Sequence, residues 1–178
     1  MATSRAACFL AVHLAMAGAS THAGERFGFG RAPTADEVAG WNIDIDRDGR
    51  KLPPGQGSVA KGRALFTAQC AACHGAKGEG GIGDGLVGGR GSLASAKPIK
   101  TVGSFWPYAP TLFDYIRRAM PMNAPQSLSP DETYAVVAYI LNLNGLVADD
   151  AVMDAGTLPA VTMPNRNGFV PDPRPDVR

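Results

Sequence analysis

Cys70-Ala71-Ala72-Cys73-His74 decides how the rest of this 178-residue chain is read. Two thiols with two residues between them can each add to one vinyl group of the same porphyrin. The imidazole that follows directly is then set against the iron. Neutral imidazole is a good ligand for haem iron, and C-x-x-C-H predicts covalent haem attachment. Cys70 and Cys73 are therefore the expected attachment points, and His74 the expected axial ligand. A thioredoxin-like dithiol is the weaker reading, because it needs a βαβ context and no strand-rich pattern flanks the motif. A tetrahedral zinc site needs four ligands, more than the chain retains once its leader is considered.

Residues 1–23 read as a secretory signal. Arg5 is the only charge before Glu25, residues 6–19 form an apolar run short for a membrane span, and Thr21-His22-Ala23 offers small residues for cleavage. A retained anchor helix is the alternative. Cys8 lies too early in the run to become a lipid-modified first residue. Cleavage after Ala23 would remove Cys8, His13 and His22, leaving the exported chain two cysteines and one histidine. Bis-histidine ligation is then excluded, as is a histidine/cysteine pair, because both thiols are used by the porphyrin. The sixth iron position falls to methionine, to a weaker donor such as lysine, or to nothing. The exported chain would carry 16 basic and 16 acidic residues. No basic excess points to nucleic acid or anionic lipid, no membrane span is expected after cleavage, and the expected compartment is the periplasm.

The flanks are less informative than the centre. Residues 24–57 form a Gly/Pro-rich N-terminal extension, in which Thr34-Ala35-Asp36-Glu37 predicts a capping box for a short helix ending near Trp41. Asp44-Ile45-Asp46-Arg47-Asp48-Gly49 matches half of a calcium loop. Gly55 replaces its closing glutamate and Lys51 adds positive charge, so a solvated turn is expected. Residues 148–178 hold five prolines and no periodicity. They read as an irregular tail, either disordered or ordered against something else.

Between the flanks lies the expected domain, 58–147. Ser58 caps a helix from Val59 to about Cys70, with Gly62 and Phe66 on one face. Glycine there costs about 1 kcal/mol relative to alanine, which close approach of a second helix would justify. Residues 75–91, with nine glycines in seventeen positions, read as a loop around the proximal side. One of its carbonyls is expected to accept from the Nδ1–H of His74. Trp106 and Tyr108 are expected to wall the haem pocket, with ordinary core packing as the alternative. Thr111 predicts the cap of a helix over 112–119. Met120-Pro121-Met122-Asn123-Ala124-Pro125 is a loop stiffened by prolines. It suits presentation of a thioether, with Met120 the expected second axial ligand and Met122 its alternative. Met153 and Met163, in the tail, are poor candidates. Ser129-Pro130-Asp131-Glu132 predicts a well-capped helix to Leu143. Its stripe of Val136, Tyr139, Ile140 and Leu143 should cross the Gly62/Phe66 face.

Gly62-x-x-x-Phe66, the Cys70–His74 motif, the Met120-Pro121 loop and Ala138-Tyr139-Ile140 together resemble a class I cytochrome c. That resemblance spans about residues 58–147 and implies an all-α fold around one covalent haem c with His74/Met120 ligation; the irregular N- and C-terminal extensions flank it. The chain departs from the family at Gly83-Asp84-Gly85-Leu86, where many members carry Gly-Pro-x-Leu, so the carbonyl that orients His74 stays unassigned. Longer phrases are similar to cytochrome subunits of periplasmic sulfite or sulfane dehydrogenases: Ala39-Gly-Trp41-Asn-Ile-Asp44, Leu52-Pro-Pro-Gly55, residues 100–108, 112–121 and 123–128, and Met163 to Pro175. In those enzymes a molybdenum-cofactor subunit oxidises the sulfur compound and the haem subunit carries single electrons away. The resemblance implies a partner of that kind, a downstream cytochrome or oxidase, and a chain that is not catalytic by itself. A free-standing shuttle to a terminal oxidase would instead be a monomer. A haem enzyme with an open distal site would require Met120 to stay off the iron.

Overall fold

The structure, a computed structural model, describes residues 29–174; the expected signal segment 1–23 lies outside the described residues. Five helices (α1 Ala35–Trp41, α2 Val59–Gln69, α3 Ala71–His74, α4 Ala109–Ala119 and α5 Pro130–Leu143) are joined by one small ladder of β1 Gln56–Ser58 and β2 Val152–Asp154.

α5 is the centre of the core. Ser129 Oγ accepts from the Glu132 amide and the Glu132 carboxylate accepts from the Ser129 amide, so both sides of the capping box are made. Every residue from Thr133 to Leu141 is buried. α2 crosses this helix where Gly62 lies. A Cβ at Gly62 would stand 1.8 Å from the Ala135 carbonyl oxygen and 2.8 Å from Tyr139 Cβ. The glycine is therefore the condition for the crossing, which accounts for its local cost in helix propensity. Phe66 completes the contact with its ring 5.4 Å from that of Tyr139, edge to face.

α4 begins at Ala109, earlier than the expected cap at Thr111. Pro110 supplies the reason, since its fixed φ suits the first helical turn. Thr111 Oγ1 donates back to the Tyr108 carbonyl at 2.7 Å instead of capping. α4 buries Leu112, Phe113 and Ile116, and the Phe113 ring packs 4.4 Å from that of Tyr134 on α5.

The flanks are fastened to this core. β1 and β2 pair antiparallel with Gly57 opposite Met153. Beyond β2 a 3₁₀ turn at Leu158–Ala160 follows, and Met153, Leu158, Val161 and Met163 are all buried in the main core. Of the two readings of the tail, order against the domain is the one observed, and its two methionines are core fillers. On the N-terminal side Ile45 is buried, the Tyr134 hydroxyl donates to the Pro53 carbonyl at 2.9 Å, and the Gln56 amide donates to Asp131 at 2.9 Å. Asp46 holds its turn by accepting from the Asp48 and Arg50 amides and pairing with the Arg50 guanidinium. α1 has its capping box and an Arg31–Glu37 pair but buries no residue.

Candidate haem site

α2 delivers the cysteine motif to the core. Its capping residue, Cys70, donates its amide to the Phe66 carbonyl at 2.9 Å, and the chain turns directly into the one-turn α3 that ends at His74. Cys70 is half-buried against the core cluster, Cys73 is exposed, and neither is in a disulfide. Burial, with Cys73 beside it, pushes the Cys70 thiol up to about 11. Redox dithiols of the C-x-x-C kind work with a lowered thiol, so the local environment opposes that use.

The glycine-rich loop folds back under His74. The Gly83 amide donates to the Cys73 carbonyl at 2.9 Å, the Gly80 amide to the His74 carbonyl at 2.7 Å, and the Leu86 amide to the Gly78 carbonyl at 2.8 Å. This brings the Asp84 carbonyl to 2.8 Å from His74 Nδ1. A carbonyl only accepts, so Nδ1 carries the proton and Nε2 keeps its lone pair for iron. A Cβ on Gly83 would fall 2.8 Å from His74 Cε1, so only glycine lets the loop lie this close under the ring. Asp84 occupies the position where the family pattern has proline, and the orienting carbonyl is its own. Only the backbone is used, so the departure in side chain leaves the interaction in place.

One half-buried and one exposed thiol, an imidazole whose Nε2 is left for iron, and a glycine cradle beneath it fit a covalently attached haem. The family described as cytochrome c matches residues 59–144. The chain is similar, at 45% identity with a TM-score of 0.76, to a chain of the crystal structure of the sulfane dehydrogenase SoxCD from Paracoccus pantotrophus, covering 85% of this chain and 75% of that one. The chain belongs to the cytochrome c family. A search of curated proteins finds no match. The cytochrome is of class I, with one covalent haem c, and its work is electron transfer.

Met120 follows α4 directly. Its amide makes the last helical bond, to the Ile116 carbonyl at 2.9 Å, and its own backbone is already extended. The side chain packs partly buried against the core. Met122, by contrast, is 75% exposed. Trp106 is half-buried, with its ring 5.8 Å from that of Tyr115, edge to face. Tyr108 is gripped from both flanks of the chain: the Arg47 guanidinium lies 5.8 Å and that of Arg166 4.7 Å from its ring centre. Asn165 reinforces this by donating to the Phe105 carbonyl at 2.8 Å. The aromatic stretch thus seats both extensions, a role the sequence did not signal.

Two further polar residues matter more than their sequence suggested. Asn144, which reads as a helix stop, is a staple between α5 and the glycine loop. Its side chain accepts from the Gly88 amide at 3.2 Å and donates to the Leu86 carbonyl at 3.1 Å. Asp114, an acid within an otherwise basic stretch, is buried and pairs with Arg118 one turn later; the i, i+4 spacing was the available signal.

Proposed function

We propose that this cytochrome is the electron-accepting haem subunit of a periplasmic, molybdenum-dependent sulfite or sulfane dehydrogenase. The observation that carries the reading is the extent of the similarity. A match over 85% of the chain reaches well beyond residues 59–144, so it takes in the extensions as well as the cytochrome core. Those extensions are folded onto the domain through β1–β2 and the grip on Tyr108, and they present α1 and the end of the tail outward.

Cys70 and Cys73 would hold the haem, and His74 Nε2 and the Met120 thioether are the donors that would ligate its iron. The haem contributes a one-electron couple, raised in potential by a methionine ligand. The chain's own tasks are to keep His74 in one tautomer, to keep water and other ligands from the iron, and to hold the haem against its partner. None of these needs a general acid, base or nucleophile. Of the five basic residues between Arg90 and Arg118, three already serve the fold: Arg90 donates to the Asn144 carbonyl, Lys100 lies over Phe105 and Arg118 pairs with Asp114.

The test is gentle isolation from native periplasm through a C-terminal tag, followed by metal analysis of the eluate. A co-eluting subunit with molybdenum in near-stoichiometric ratio to haem is expected. A clean monomer without molybdenum would favour a free-standing shuttle.

A further inference from the structure

Asp114 is the one charged residue buried among the described residues, at 7% exposure. It sits on α4 between Phe113 and Ile116, where the surrounding face is apolar. Burial of a carboxylate is unfavourable unless it is both paired and hydrogen-bonded. Asp114 meets both conditions with partners from two directions. Oδ1 accepts from the Ile45 amide at 2.9 Å, and Ile45 is itself only 4% exposed. Oδ2 pairs with the Arg118 guanidinium in the last turn of α4. Arg118 in turn lines a hollow with Trp41 and Ile43 of the extension and Gln126 of the methionine loop. Two residues further along, the Met120 amide donates to the Ile116 carbonyl. Met120 therefore hangs on the same turn that Asp114 and Arg118 close, and the extension is strapped across that turn.

We propose that Asp114 is a positioning residue for Met120: by fastening the Ile43–Asp46 segment across α4 and holding Arg118, it fixes the turn from which the thioether reaches the iron. The inference rests on Met120 as axial ligand. A well-packed leucine at this site would avoid burying a charge, so packing alone does not account for a carboxylate. Two acceptor oxygens do account for it, one for a backbone N–H of the extension and one for the guanidinium. Asparagine keeps an acceptor for the first and loses the ion pair to the second.

The experiment uses the purified ferric holoprotein with Asp114→Ala, Asp114→Asn and, as control, Tyr134→Phe. The control removes the hydroxyl that ties Pro53 to α5 and leaves α4 untouched. The readouts are the thioether-to-iron charge-transfer band and the affinity for added imidazole, which must displace the thioether. Loosening the turn should raise imidazole affinity about tenfold in Asp114→Ala and less in Asp114→Asn, because the ligand binds only the open form. The band should weaken in the same order, and Tyr134→Phe should match wild type. Wild-type band and imidazole affinity in both Asp114 variants would overturn the proposal, whatever their melting temperatures. If Asp114→Ala does not mature, Asp114→Asn decides between the same two results. A wild-type protein without the band would overturn the methionine assignment itself, which separates the two failures.

Discussion

At the scale of single residues, two glycines set the geometry that the haem depends on. Gly62→Ala would drive a methyl group into the Ala135 carbonyl. Neither helix backbone can yield cheaply there, so a loss of about 3 kcal/mol or more is expected in denaturant melts of the holoprotein. A loss below about 1 kcal/mol would mean that the helices cross elsewhere. Tyr139→Ala should cost roughly 3–5 kcal/mol by the same measurement, since it removes the ring that packs on Phe66. Gly83→Ala acts on chemistry instead. The new methyl would press on the His74 ring and lengthen the Nδ1–H bond to Asp84. A weaker bond makes the imidazole a poorer donor to ferric iron, so the reduction potential should rise by on the order of tens of millivolts in redox titration. An unchanged potential would show that the Asp84 carbonyl does not tune the ligand.

At the scale of elements, what was legible in the sequence followed from local rules. The caps of α1 and α5 were readable because a capping box is satisfied within four residues. The approach of α2 to α5 was readable because a glycine beside Phe66 on a helix face has few other uses. The start of α4 was misplaced because Thr111 and Pro110 are both initiation signals, and the proline prevailed. β2 and the buried tail were not legible, since three-residue strands carry no periodicity, Met153 finds its place only opposite Gly57, and the turn at Leu158 only against α4. Nor could the sequence choose among loop carbonyls for His74, because every backbone unit offers one. Asn144→Ala should therefore do more than shorten α5: releasing Leu86 and Gly88 should speed amide exchange through residues 78–88, measured by mass spectrometry. The α1 cap gives a pH prediction. Glu37, held first by the Arg31 side chain and then by the Thr34 amide, is lowered from 4.5 to about 2. A lowered acid supports the folded form above its unfolded value and loses that support as pH falls through the folded one. The Thr34 amide resonance should thus hold steady down to about pH 4.5 and shift with a midpoint near pH 2. A midpoint near pH 4.5 would show the cap to be absent in solution.

At the scale of the whole molecule, a domain of about 90 residues buries only about 60–65% of its unfolded surface, and the covalent haem adds an apolar centre that so small a chain cannot supply alone. Haem-free protein should be largely unfolded by circular dichroism; a native-like spectrum would contradict this. The tail contributes as well, with Met153, Leu158, Val161 and Met163 inside the core. Ending the chain after Leu146 should destabilise the cytochrome itself. Ending it after Asn167 removes the exposed Val170 and the Phe169 ring that packs edge to face on Phe105, so the melt should fall far less than on ending after Leu146, which isolates any docking role of the tail. The most direct measurement of the proposed function is made on the complex proposed above: sulfite or a sulfane-sulfur donor is mixed with the ferric form while the haem absorbance is followed. Reduction within turnover time, abolished when the molybdenum subunit is removed, is the expected result. A haem that stays ferric with substrate and partner both present would contradict its assignment as the electron acceptor.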